Sequence, residues 1–208
     1  MSGSKRPHPT ILIATGNQGK FVEIAAELGG LGVRYISLKD FPPVPECEEI
    51  GLTFKDNAVD KARYYAHQFK IYTLADDSCL EVDALNGAPG VYSARYAGTP
   101  TNDQANNAKL VRELSGIPPE KRGARFRCVM ALVDPDENLL GTTEGVIEGI
   151  IIDQHRGTNG FGYDPHFFVP KLGKTTAELP REEKNKISHR GQATRAMHQL
   201  LSRFFSNQ

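Results

Sequence analysis

A glycine-containing loop near the start of the chain has the composition of a phosphate-binding turn. The segment Thr15-Gly16-Asn17-Gln18-Gly19-Lys20 follows an apolar run, residues 11–14, and precedes a segment with helical spacing. Backbone N–H groups at a helix N-terminus favour an anion, and Lys20 adds a full positive charge. The loop does not fit a Walker A motif, because Ala14 and Phe21 replace the required glycine and Ser/Thr. A plain glycine turn with a surface lysine is the alternative interpretation.

Carboxylates that could act on a phosphate occur in two later segments. Asp76-Asp77-Ser78 follows an apolar segment, residues 71–75, which predicts a buried strand ending at these residues. Neighbouring strand residues point to opposite faces, so at most one of the two aspartates faces a given site. A carboxylate at a strand end beside a phosphate loop is a natural Mg²⁺ ligand or general base. Glu49, in an acidic loop, could supply a second oxygen ligand. The alternatives are a solvated acidic turn and a charged loop.

Aromatic and basic residues in the second half of the chain could recognise a nucleobase and an anion. Phe161-Gly162-Tyr163-Asp164-Pro165 combines aromatic rings, which suit stacking on a base, with a flexible backbone and a carboxylate. Lys184 and Ser188-His189-Arg190 bring positive charge to a predicted helix N-terminus, where it opposes the helix dipole and indicates a compensating anion or acceptor. Lys61 lies one turn after Asn57 on another predicted helix. Each set could instead be structural: a buried aromatic turn, solvated basic residues and a surface lysine.

The elements that would position these residues indicate an α/β fold. Alternating strand-like and helix-like segments are typical of this class, and a predicted hairpin around Asp134-Pro135-Asp136 favours a mixed sheet over a purely parallel one. The predicted strands are residues 11–14, 71–75, 125–133, 139–152 and 167–169, and the predicted helices are residues 21–28, 54–68, 102–114 and a last helix that Ser188 caps.

Length and composition exclude several classes of protein. A chain of 208 residues suffices for one domain or a two-lobed one, and 39% hydrophobic with 24% charged residues is ordinary for a folded protein. Zero net charge gives no global field for nucleic acid, so we expect no nucleic-acid partner. Three cysteines without a C-x-x-C pair indicate neither a disulfide framework nor a zinc site, and fit a reducing cytosolic setting.

The first ten residues carry no predicted element. They are polar, lack the apolar stretch of a secretory signal, and are expected to form a disordered extension. No apolar run approaches the ~20 residues that span a bilayer, so we expect no membrane association.

In their shared order, these segments resemble the inosine triphosphate pyrophosphatase family, also called dITP/XTP pyrophosphatases. The resemblance covers nearly the whole chain after about residue 10 and is strongest to the bacterial branch. The segments that carry it are Thr15-Gly16-Asn17 with Lys20, Glu49 with Gly51-Leu52-Thr53-Phe54, Asn57, Lys61-Ala62, Ala75-Asp76-Asp77-Ser78, Gly87-Ala88-Pro89-Gly90, Tyr92-Ser93-Ala94-Arg95-Tyr96, residues 160–165 and Ser188-His189-Arg190.

The resemblance implies a single domain over residues 11–208, with a mixed twisted sheet, flanking helices and two lobes around a central active-site cleft. It also implies a homodimer that binds a nucleoside triphosphate and Mg²⁺, with Mn²⁺ as an alternative metal. The implied reaction is cytoplasmic hydrolysis of deaminated purine nucleoside triphosphates (ITP, dITP, XTP) to monophosphate and pyrophosphate. Cys79 departs from the glycine of many bacterial relatives and is expected to be a small buried side chain.

The resemblance also assigns roles to individual residues. Asp77 matches the catalytic acid–base carboxylate and a metal ligand, Glu49 matches a second metal ligand, and Lys61 matches a phosphate contact. The triphosphate loop matches Thr15, Gly16, Asn17, Gln18, Gly19 and Lys20; the substrate contacts match Ser78, Phe161, Gly162, Tyr163, Asp164, Lys184, His189 and Arg190.

Two rival functions remain at this stage. The first is a related pyrophosphatase that acts on pyrimidine or modified nucleotides. The second is a nucleotide sensor without turnover, which Asp77 disfavours because a sensor needs no group to position a nucleophile.

Overall fold

The computed structural model describes residues 9–205, which form an α/β fold around a seven-stranded sheet in the order β2-β1-β3-β4-β5-β6-β7. β1 pairs in parallel with β2 and β3, whereas β6 pairs antiparallel with β5 and β7. The predicted mixed sheet is therefore confirmed. The strands are β1 (Thr10–Ile13), β2 (Arg34–Ser37), β3 (Tyr72–Val82), β4 (Gly123–Val133), β5 (Leu139–Ile151), β6 (Phe167–Val169) and β7 (Lys174–Thr175).

Five α-helices accompany the sheet within the described residues. They are α1 (Gln18–Glu27), α2 (Phe54–Phe69), α3 (Asp103–Glu113), α4 (Arg181–Ile187) and α5 (His189–Phe205). Among these residues, no helix is both long and apolar enough to cross a membrane. Short 3₁₀ turns lie at Leu38–Asp40, Asp83–Leu85, Gly90–Arg95, Pro119–Lys121, Pro170–Leu172 and Thr176–Glu178.

The chain divides into two compact units. The first comprises Met1–Asp76, Met130–Thr143 and Thr194–Gln208, and the second comprises Asp77–Val129 and Glu144–Ala193. The expected extension over residues 1–10 falls mostly outside the described residues, and Thr10 already belongs to β1.

Side chains at two helix N-termini fix the starts of α1 and α2. Asn17 caps α1, because its Oδ1 accepts a hydrogen bond from the Lys20 backbone N–H at 3.1 Å. Thr53 caps α2 as the sequence predicts: its Oγ1 accepts from the Asp56 N–H at 3.1 Å and donates to the Asp56 carboxylate at 2.7 Å. The loop before α1 and the lysine on α2 are therefore held in defined positions.

Two sequence predictions about local structure are wrong. β3 does not end before Asp76, but continues through it to Val82, because the buried residues beyond the polar triplet extend the strand into the core. Lys184 does not lie at the N-terminus of α5. It belongs to the last turn of α4, a helix that the sequence analysis missed, and a cation is favourable at that end.

Candidate active site

The loop after β1 presents an open backbone surface at the start of α1. β1 is buried, and the Ala14 N–H continues its pairing by donating to the Leu74 carbonyl at 2.8 Å. Thr15 Oγ1 then accepts from the Asn17 N–H at 3.2 Å, while residues 16–18 are exposed. A Cβ built on Gly16 would meet no atom within 4 Å, so this part of the loop is accessible to a ligand. The geometry is that of an anion-binding helix N-terminus.

Two lysines and two carboxylates of the first unit form what we term the lysine–carboxylate group: Lys20, Glu49, Lys61 and Asp76. The Lys20 ammonium lies 3.0 Å from Asp76 Oδ2, and Lys61 donates to the Asp76 backbone carbonyl at 2.9 Å. Lys61 also forms an ion pair with Glu49. The group therefore brings together three residues that the sequence analysis selected separately, with Asp76 as the point where both lysines meet.

Asp76 is the member of this group that the sequence analysis did not select. Asp76 is only 2% exposed, and its carboxylate faces Lys20. The sequence analysis had selected the neighbouring Asp77 instead. Strand alternation predicted that only one aspartate faces a given site, but it could not identify which one faces Lys20. No local sequence signal distinguishes the two aspartates, because the partner Lys20 lies far away along the chain.

The donor chemistry of this group fits a hard divalent cation. Carboxylate oxygens of Glu49 and Asp76 belong to the ligand class that Mg²⁺ prefers. The loop carrying Glu49 is anchored nearby, because the Gly51 N–H donates to Asn57 Oδ1 at 2.7 Å. Within residues 9–205, no cluster of three or more His, Cys, Asp or Glu side chains forms a complete metal site. A Mg²⁺ ion here would therefore take further ligands from water or substrate phosphates, as is usual for this ion.

Asp77 and Ser78 open the second unit on β3. Asp77 is buried, and Ser78 Oγ lies 3.4 Å from Arg190 Nη2, which donates to it. The next residue, Cys79, is a buried free thiol, and burial raises its pKa far above the usual range. The expectation of a small, unreactive side chain at this position agrees with that environment.

The glycine-rich loop of the second unit is held by the Asp164 carboxylate. Asp164 Oδ2 accepts from the Phe161 N–H at 2.9 Å and from Lys184 Nζ at 2.7 Å, and Oδ1 accepts from Thr176 Oγ1 at 2.7 Å. Gly160 has φ +76° and a Cβ there would overlap the same carboxylate, so glycine is required. Asp164 therefore orients Phe161 and Lys184, and this saturated carboxylate is poorly suited to contact a substrate itself.

Two cationic side chains, Lys184 and Arg190, lie over the Phe161 ring. Together with His189, which precedes Arg190 in the first turn of α5, these residues form what we term the aromatic–cation group. The Lys184 ammonium lies 4.8 Å and the Arg190 guanidinium carbon 5.3 Å from the centroid of the Phe161 ring. Lys184, His189 and Arg190 are all buried, whereas Phe161 is half-buried. The group offers a ring face together with several N–H donors, a combination that favours a planar ligand with acceptor atoms.

Tyr163 and Gly162 anchor the same loop to neighbouring elements. The Tyr163 side chain is buried and its hydroxyl donates to the Ser93 carbonyl at 2.7 Å. Gly162 is clamped to α3, where Asp103 accepts from its N–H at 2.7 Å and Asn107 donates to its carbonyl at 2.8 Å. These contacts hold the loop in place behind Phe161. Sequence reasoning missed Asp103, Asn107 and Thr176, because polar residues in a helix or turn give no signal of long-range partners.

Comparisons with known proteins agree with this fold. The profile of the Ham1 family matches residues 11–200, and the chain belongs to this family. A dITP/XTP pyrophosphatase of Geobacter sulfurreducens is 54% identical, over 88% of this chain and 92% of the relative. One of Desulforamulus reducens is 50% identical, over 95% of this chain and 98% of the relative. A HAM1 protein structure from Coxiella burnetii superposes with a TM-score of 0.85 at 42% identity, covering 94% and 99% of the two chains. The family resemblance found in the sequence is thereby confirmed.

Proposed function

We propose that this protein is a cytoplasmic nucleoside triphosphate pyrophosphatase that hydrolyses ITP, dITP and XTP to the monophosphate and pyrophosphate. The observation that carries the proposal is the meeting of Lys20 and Lys61 on Asp76, directly beside an open, glycine-containing helix N-terminus. Such a site suits a polyphosphate, because two ammonium groups and N–H groups at the start of α1 can donate to phosphate oxygens. The names of the relatives, dITP/XTP pyrophosphatases, support the substrate class.

The mechanism must overcome repulsion between an incoming nucleophile and a triphosphate that carries about four negative charges. We assign Asp77 as the carboxylate that orients a water and accepts its proton as the water attacks the α-phosphorus. Pyrophosphate then leaves, and its charge is held by Lys20, Lys61 and the backbone N–H groups of Gly16, Gln18 and Gly19. Positioning and charge stabilisation of this kind supply most of the rate in phosphoryl transfer.

A divalent cation completes the proposed site. Glu49 and Asp77 are the proposed protein ligands for Mg²⁺, with Mn²⁺ as an alternative metal. Asp76, which contacts Lys20 and Lys61, is the alternative to Asp77, because neighbouring strand residues point to opposite faces. When bound, Mg²⁺ neutralises phosphate charge and polarises the bond that is cleaved. Dialysis against a chelator should abolish activity, and titration with Mg²⁺ should restore it.

The aromatic–cation group is proposed to select the base. Hypoxanthine and xanthine present a 6-oxo acceptor, whereas adenine presents a 6-amino donor. Donors on Lys184, His189 and Arg190 would pair with the oxo group, and adenine would oppose them with its own donor. A site that hydrogen-bonds its substrate can reject such an analogue by ~10⁴-fold.

Steady-state hydrolysis of a nucleotide panel tests the proposed function. The purified protein with Mg²⁺ should give the highest kcat/KM for ITP, dITP and XTP, with GTP and ATP well below them. Preference for a pyrimidine or modified nucleotide would support the related pyrophosphatase instead. Tight binding of ITP without turnover would support a sensor. Sedimentation velocity on the same sample tests the proposed homodimer.

A further inference from the structure

We propose that Phe126 on β4 is a positioning residue that fixes the plane of the His189 imidazole against the base. This inference rests on the proposed function, because it assumes that His189 contacts a nucleobase. Phe126 lies outside the sequence motifs, the lysine–carboxylate group and the aromatic–cation group. The two rings stack with centroids 4.8 Å apart and an interplanar angle of 16°.

The Phe126 ring is itself held in place by the core of the second unit. Only 8% of Phe126 is exposed, and its ring packs against Phe167 of β6 with centroids 4.4 Å apart. Both residues belong to a buried cluster that includes Leu80, Val82 and Leu110. A close-packed interior keeps such a ring in one rotamer. Phe126 therefore presents a fixed flat surface to the imidazole, rather than a mobile one.

The backbone of His189 is held close to β5 by a glycine. A Cβ built on Gly145 would overlap the His189 carbonyl oxygen and would lie 2.7 Å from the Gln192 Cβ. Gln192 secures the same approach, because its Nε2 donates to the Val146 carbonyl at 2.8 Å and to the Ile187 carbonyl at 2.9 Å. The first turn of α5 is thus fixed by β5, and the stack on Phe126 acts on the rotation of the ring.

Rotation of the imidazole is the freedom that stacking removes. The χ2 torsion of histidine is broad, so a fixed backbone does not by itself fix the ring plane. Stacking on Phe126 limits the ring nitrogens to directions within one plane, which sets where they can meet a base edge. Small misplacements of contact groups can cost ~10²-fold in rate, so this constraint affects catalysis as well as binding.

The test combines NMR of the histidine ring with kinetics on three variants. Phe126→Leu removes the aromatic face, and Phe126→Tyr retains it. Phe205→Leu is the matched control, because Phe205 is a buried aromatic residue of the first unit that packs edge-to-face on Tyr72. The His189 Hε1 resonance is assigned by its loss in His189→Gln.

In the wild type, the His189 Hε1 resonance should lie upfield of an unstacked histidine because of the Phe126 ring current. Phe126→Leu should move the resonance downfield. It should also lower kcat/KM for ITP by roughly 10-fold, mainly through a higher KM, and reduce the ratio of kcat/KM for ITP to that for ATP. Phe126→Tyr should retain most of both properties, and Phe205→Leu should change neither. Once His189→Gln has assigned the resonance, an unshifted position in the wild-type protein overturns the inference even if neither Phe126 variant folds. If Phe126→Leu loses no more than Phe205→Leu, the inference is also wrong. Failure of wild-type protein to hydrolyse ITP would instead refute the proposed function.

Discussion

Lys20 Nζ and Asp76 Oδ2 lie 3.0 Å apart, which joins the first turn of α1 to the middle of β3. The ion pair holds the lysine side chain beside the open helix N-terminus. Lys61 reaches the same residue from α2, at its backbone carbonyl. Asp76 is therefore placed to control the positions of both proposed phosphate contacts.

The first prediction concerns Asp76. Asp76→Asn keeps the shape of the side chain but removes its negative charge. That charge lies on a nearly fully buried carboxylate and is the partner of the Lys20 ammonium. We expect kcat/KM for ITP to fall by at least about 10-fold, because Lys20 loses the carboxylate that positions it, and small misplacements of contact groups can cost ~10²-fold in rate. Asp56→Asn serves as the control in the same steady-state assay, because the Asp56 carboxylate accepts from the α2 cap Thr53 and contacts neither lysine. Wild-type activity in Asp76→Asn would show that the pair is not needed for phosphate binding.

The second prediction concerns Lys20 itself. Lys20→Met removes the charge while keeping the aliphatic chain. Loss of a desolvated phosphate contact of this kind costs about 2 kcal/mol of binding free energy. The loss in kcat/KM should be the same for ITP, XTP, GTP and ATP, because phosphates carry no base information. A loss that differs between bases would place Lys20 near the base rather than the phosphates.

Asp77→Asn should separate catalysis from folding. The substitution removes basicity and charge, and general-base and metal roles together are worth roughly 10²–10⁴-fold in rate. We expect kcat to fall by that factor while circular dichroism and Tm remain close to those of the wild type. Unchanged kcat would refute the assignment of Asp77 as the catalytic carboxylate.

Base selectivity should depend on Arg190 more than on Phe161. Arg190→Ala removes a buried guanidinium of the aromatic–cation group and should lower ITP hydrolysis and narrow the ITP-to-ATP ratio. Phe161→Ala should lower all nucleotides more evenly, because every base has a stacking face. The measurement is kcat/KM for ITP, XTP, GTP and ATP. A constant ratio in Arg190→Ala would mean that other residues read the base.

Acid should destabilise the second unit through His166. Burial lowers the pKa of this histidine below its usual value of 6.5, and its ring donates to the Ile152 carbonyl at 2.9 Å. Between the lowered folded pKa and 6.5, the unfolded chain binds more protons, so stability falls as pH falls through this window. Tm between pH 7.5 and 5.5 should fall less in His166→Asn than in the wild type. Equal slopes in His166→Asn and the wild type would contradict the prediction.

The sequence predicted those elements whose signals are local. The cap at Thr53, the helix after Asn102 and the strand at residues 167–169 follow from capping residues, apolar spacing and β-propensity, and the structure confirms them. The predicted end of β3 was wrong, because Asp76 and Asp77 were interpreted as a turn. Their burial is offset by partners such as Lys20, which lies 56 positions earlier in the chain. Such long-range compensation leaves no trace in local composition.

For the site, the sequence identified most of the charged residues but not the relations between them. The meeting of Glu49, Lys61 and Lys20 around Asp76 depends on the sheet order, which brings β1 beside β3. Phe126 has the appearance of an ordinary strand residue, and only its contact with His189 distinguishes it. The two-lobed arrangement around a cleft stays a prediction.

The bond that the enzyme cleaves tests the central claim most directly. ITP is incubated with the wild-type protein and Mg²⁺ in ¹⁸O-enriched water, and the products are followed by phosphorus NMR. Attack of water at the α-phosphorus predicts IMP and pyrophosphate, with the ¹⁸O label in the phosphate of IMP. Accumulation of IDP and orthophosphate, with the label in orthophosphate, would contradict the proposed pyrophosphatase.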